Sequence, residues 1–147
     1  MKKIIITILL IGLVCGAYLF INKKSSVSNP RNITSISDIS LEDRELVAEA
    51  IARSSMIMKS GDIDEIRELM IKKAGDDNTK IASIKRTSDN SLRSLSSFAS
   101  GGTTITKDMV LQSTNWSVTS ANKVVVKVKT GEHTVSSFDA VYNGGWY

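Results

Sequence analysis

Three spacings of apolar residues follow one another along the chain. Residues 4–21, "IIITILLIGLVCGAYLFI", form an uncharged apolar run; from Leu46 to Met70 apolar residues recur at three and four positions; beyond Gly102 they alternate with polar ones. The first run makes a helix of about 27 Å, close to the hydrocarbon thickness of a bilayer. Residues 1–24 are therefore expected to be an N-terminal transmembrane anchor. Leu19, Phe20 and Ile21 continue the run past the small residues Cys15–Ala17 and end at Lys23 and Lys24, as a stop-transfer segment does. The alternative is a signal peptide cleaved near those small residues, leaving a secreted or periplasmic product.

The helical spacing begins after Ser40, a helix-capping residue. Leu46, Val47, Ala50, Ile51, Ser54, Ile57 and Met58 form one stripe, with Glu42, Glu45, Glu49 and Arg53 opposite, which predicts a helix from 41 to about 59. "SGD" breaks it. A second helix is predicted over 63–73, with Ile63, Ile66, Leu69 and Met70 inward, ending before Gly75. In the polar stretch that follows, Ile81, Ile84, Leu92, Leu95 and Phe98 keep helical spacing and predict a third helix, with an interruption near Asp89 as an option. Its serine content also suits disorder.

After Gly101-Gly102 the period becomes that of strands. One or two strands are expected within 103–120, a clear one in "KVVVKVKT" and another in "HTVSSFDAVY", with "SAN" and "TGE" as turns and "NGG" as a closing turn. Val124, Val126 and Val128 share one strand face, as do Phe138, Ala140 and Tyr142. Helices first and strands last predict an α+β fold, two or three helices on a curved antiparallel sheet of three to four strands. The domain is expected at 41–147, joined to the anchor by a flexible linker at 25–40, rich in Ser and Asn and holding the single proline.

Charge narrows the function. The net +4 is accounted for by Lys2, Lys3, Lys23 and Lys24 around the apolar run, and the rest of the chain is balanced. The basic character thus belongs to a membrane-flanking pattern, and no nucleic-acid partner is expected. The slightly stronger positive charge before the run puts the domain outside the cytoplasm. Cys15, the single cysteine, lies within the run, so the exported part has neither a disulfide nor a cysteine-based zinc site.

Candidate chemistry is sparse. Asp62, Asp64 and Glu65 stand together behind Gly61, but their spacing lacks the alternating ligands and closing Glu of a calcium loop. They read as a helix start: Asp62 the cap, Glu65 its capping-box partner and Asp64 a favourable charge at the positive end of the helix dipole. Asp76, Asp77 and Asn78 read the same way. His133, the single histidine, follows a turn where it is solvated, and Asp139 and Tyr142 fall on opposite strand faces. No catalytic residue, metal or cofactor is expected.

The pieces "MKSGDIDEIRELM" and "VYNGGWY", with Trp116 opening a hairpin between them, resemble the NTF2-like (cystatin-like) superfamily, above all its small exported bacterial members. The resemblance covers about 41–147. It implies a cone, a curved sheet wrapped on helices with an apolar pocket at the open end, and makes Trp116, Phe138, Tyr142 and Trp146 candidates for the pocket wall. Ordinary core packing is the plainer reading of the same aromatics. Enzymes of that superfamily place Asp, His or Tyr inside the cone, and this sequence departs from that pattern. Membrane-tethered scaffold members have the same order of anchor, linker and domain. The implied function is a non-catalytic scaffold in the bacterial inner membrane, engaging an envelope protein partner or itself as a homo-oligomer. The alternative is a carrier of a small apolar ligand, and an isomerase-like enzyme is disfavoured.

Overall fold

Residues 31–147 are described by the computed structural model. The predicted anchor, its signal-peptide alternative and linker residues 25–30 lie outside them. Among the described residues no helix is long and apolar enough to cross a membrane.

Helix α1, Leu41–Ser60, starts where Ser40 Oγ accepts the Asp43 N–H at 3.0 Å and donates to Asp43 Oδ2 at 2.9 Å. It ends at Gly61, whose φ of 76° favours glycine. The buried stripe is Asp43, Val47, Ala48, Ala50, Ile51 and Ser54. Leu46, expected inward, lies on the flank of that stripe and is 45% exposed.

Helix α2, Ile63–Ala74, starts at Asp62, whose Oδ1 accepts the N–H groups of Asp64 and Glu65, each at 3.1 Å. The expected capping box is not reciprocal: the Asp62 N–H is satisfied by Ser60 Oγ at 3.1 Å rather than by Glu65. Ile66 and Leu69 are buried.

The interruption near Asp89 is complete, so the third predicted helix is two. Helix α3, Asn78–Arg86, is capped by Asp77, and α4, Asp89–Ser100, by Ser88. Arg67 of α2 joins their ends, donating to the carbonyls of Ile84 and Thr87 at 2.9 Å and to Asp89 Oδ1 at 2.7 Å. One guanidinium thus satisfies the end of one helix and the start of the next. Leu92 and Ser96 face inward, while Leu95 and Phe98, expected in the core, are 43% and 85% exposed.

Part of the first predicted strand is instead a short helix, α5, Lys107–Leu111, started by Thr106 Oγ1 accepting the Met109 N–H at 3.3 Å. Three strands remain: β1 Asn115–Ser120, β2 Lys123–Lys129 and β3 Val135–Val141, an antiparallel meander in that order. Pairing places Trp116 opposite Val126, and Phe138 on the other side of the same Val126. The fold is therefore α+β with five α-helices among the described residues, more than the two or three expected.

One face of the sheet is core. Val124, Val126, Val128 and Ala140 pack with Val47, Ala48, Ala50 and Ile51 of α1 and Val110 of α5 in one cluster. Ile33 and Ile39 belong to it too, so the last ten residues of the expected linker are folded onto the domain. The Ile33 N–H donates to Asn122 Oδ1 and the Asn122 N–H to the Ile33 carbonyl, both at 2.9 Å. Asn122 makes the β1–β2 turn with φ 62°, which asparagine tolerates better than most residues. The predicted closing turn is present as well: Gly144 has φ 70°, and Tyr142 and Trp146 form a bridge across it.

Candidate functional site

An open cleft of about 940 Å³ runs between α1, α2 and α4 on one side and β3 with the β2–β3 turn on the other. Its apolar wall includes Ile51, Met58, Leu69, Met70, Phe98 and Phe138. The elements fix this wall by default. Ile51, Ser54 and Met58 follow one another at three and four positions along α1, so the seam that buries Ile51 continues outward into the cleft. Phe98, on the last turn of α4, lies at the rim with its ring in solvent.

The two ends of the cleft differ in how their charge is paired. At one end Asp139 of β3 lies between two lysines, its Oδ1 accepting from Lys73 Nζ at 2.8 Å and its Oδ2 paired with Lys123 Nζ at 3.3 Å. Lys73 Nζ also donates to the Asp139 carbonyl at 3.0 Å, capping part of the outer edge of β3. Burial pushes the Asp139 carboxyl up, but the hydrogen bond and charge of Lys73, helped by Lys123, hold it below the usual carboxylate range. This end keeps a net +1, with both ammoniums held on the one carboxylate.

At the other end Lys59, one residue before the end of α1, donates to the Gly102 carbonyl at 2.6 Å and to Thr104 Oγ1 at 3.2 Å. Thr103 Oγ1 donates to the Thr130 carbonyl at 3.0 Å, and the Thr130 N–H to the Thr134 carbonyl at 2.9 Å, which ties this corner to the β2–β3 turn. Between the two ends Ser54 Oγ is buried and has no hydrogen-bond partner among the described residues.

The four aromatics expected to share a pocket wall are not brought together. Phe138 lines the cleft. Trp146 is buried in the core, donating from Nε1 to Asp43 Oδ1 at 3.3 Å, and lines a separate small cavity of about 150 Å³. Tyr142 packs edge-on against it, ring centroids 5.3 Å apart. Trp116 sits on β1, with Nε1 bonded to the Ser113 carbonyl at 2.9 Å and the Arg44 guanidinium over its ring. Sequence reasoning missed the α1–α2–α4 wall, because Met58, Met70 and Phe98 look like ordinary core positions of separate helices. His133 is exposed, as expected for the turn it occupies.

No family model, curated protein or solved structure matches the chain.

Proposed function

We propose that this chain is a non-catalytic, membrane-tethered binding protein of the bacterial envelope, anchored through residues 4–21, that carries a small apolar ligand in the cleft between α1, α2, α4 and β3. The observation that carries this reading is the cleft itself: about 940 Å³, open to solvent and walled by aliphatic, methionine and phenylalanine side chains. Small-molecule sites span roughly 300–1,000 Å³ and combine such walls with a few placed polar groups. Docking of an envelope protein, the first expectation from the sequence, is less well supported. A stable interface hides about 800 Å² on each partner, and the exposed large apolar residues, Leu41, Leu46, Met56, Leu95, Phe98 and Val135, are spread over α1, α4 and β3. The α+β order also suits the NTF2-like resemblance, whose members often keep an apolar pocket.

Native mass spectrometry of the full chain released from a non-ionic detergent tests the proposal. The expected result is a retained apolar molecule, lost in Met70→Arg, which puts a charge on the cleft wall. Neither protein retaining a molecule, before or after exposure to a lipid extract, would overturn it.

A further inference from the structure

We infer that the ligand of this cleft is a long-chain carboxylate, its tail along Met58, Met70, Phe98 and Phe138 and its head at Lys59. The inference deepens the carrier reading and rests on it. Three lysines line the cleft, Lys59, Lys73 and Lys123, against one carboxylate, Asp139. Lys73 and Lys123 share that carboxylate, one on each oxygen. Lys59 has no acidic partner within ion-pair distance among the described residues; two of its three N–H donors go to neutral oxygens, which leaves one.

Lys59 is the lysine of this cleft with no carboxylate beside it, so its end draws the head of an amphiphile with one negative charge. A charge-assisted hydrogen bond to that head is about twice as strong as a neutral one, so an alcohol of equal chain length would bind less well. A phosphate monoester carries roughly −1.5 to −2 at neutral pH and needs more than one free cation. The lysine pair keeps a net +1, but it is held on Asp139 at the opposite end of the cleft and does not join Lys59 around one head. The hydroxyls of Thr103, Thr130 and Thr134, next to Lys59 through the Gly102 corner, add polar neighbours for the head and none for the tail. The exposed ring of Phe98 at the rim gains a neighbour when a tail lies along it.

The test is photo-crosslinking with a diazirine-bearing palmitate on the full chain in non-ionic detergent, followed by peptide mapping and competition. Labelling is expected on the peptides holding Met58, Met70 and Phe98, displaced by palmitate at a concentration about tenfold lower than by hexadecanol. Lys59→Gln should erase the difference between the two competitors, and Lys59→Arg should retain it. Equal displacement by acid and alcohol in the parent chain would overturn the carboxylate assignment and leave the apolar carrier standing. Tighter displacement by lysophosphatidate than by palmitate would overturn it in favour of a phosphate head. Labelling absent from the cleft with every probe would overturn the carrier itself.

Discussion

Removing the carboxylate of Asp43 is the sharpest perturbation of the fold. Asp43 lies in the first turn of α1 with 5% of its surface exposed, and it receives hydrogen bonds from Ser40 Oγ, the Arg31 guanidinium and Trp146 Nε1. It thereby joins the start of α1, the segment before it and the C-terminus of the chain. In Asp43→Ala the Ser40 hydroxyl loses a charged acceptor, worth about 1.5 kcal/mol, and the buried indole N–H is orphaned, at about 1–2 kcal/mol. Arg31 is half exposed, so solvent screens its ion pair and the loss of that pair adds little. The sum is about 3 kcal/mol. With a urea slope of roughly 1.5–2 kcal/mol per molar for a domain of this size, the unfolding midpoint should fall by about 2 M. Tryptophan fluorescence of the full chain in non-ionic detergent reads it.

The same carboxylate gives a pH signature. Burial pushes Asp43 up, but the hydrogen bonds from Arg31, Ser40 and Trp146 outweigh it and leave the folded value below the ordinary 3.8. A lowered folded value means that the stabilisation is present above pH 3.8 and is lost as the pH falls through the folded value. Asp43→Asn should therefore be less stable than the parent at pH 7, and the gap should narrow as the pH drops below 4. Asp38, Asp77 and Asp139 are lowered too, so both proteins still lose stability in acid. A midpoint for Asp43→Ala within a few tenths molar of the parent, or parallel pH curves for parent and Asp43→Asn, would refute the reasoning.

Two smaller effects should accompany it. Asp62→Ala should cost about 1 kcal/mol, the price of an N-cap, with calorimetry against calcium and magnesium unchanged; a loss of divalent-ion binding in the variant would show that the acidic cluster is more than a helix start. Ser54→Ala should be neutral or raise the melting temperature by a degree or two, because it removes a buried hydroxyl without a partner. A drop of several degrees would mean that Ser54 Oγ is satisfied after all.

What the sequence made legible is local. Ser40, Asp62 and Gly61 mark their helix ends through contacts with residues two or three positions away, and the alternation in β2 and β3 needs no partner to be read. The break between α3 and α4 was legible only as an option near Asp89; the cap at Ser88 is local, but the guanidinium that ties the two ends comes from Arg67, far back in sequence. The misses are of the opposite kind. Residues 31–40 look like a linker because Ile33 and Ile39 are isolated in a polar stretch; what orders them is Asn122, 89 positions away in the case of Ile33. "TKDMVLQ" has too few residues to separate a helical from an alternating period, and Val110 is buried in either. Leu95 and Phe98 carry the right spacing for a core, but α4 offers its Leu92–Ser96 line to α1 and α2 and leaves the other flank uncovered. The candidate site followed the same rule: Phe138 was named through the family resemblance, whereas the lysines of the cleft acquire meaning only when three elements bring them to a shared surface.

The clasp between Ile33 and Asn122 has a mechanical consequence. Tension entering the domain at residue 31 meets, within three residues, two hydrogen bonds to Asn122 of the β1–β2 turn, one to its side chain and one from its backbone, and the Arg31 grip on Asp43 in the first turn of α1. The load is divided between the sheet, through the β1–β2 turn, and the Asp43–Trp146 corner at the start of α1. A pull at residue 31 would thus be shared by both ends of the described fold, Ile33 at one and Trp146 at the other.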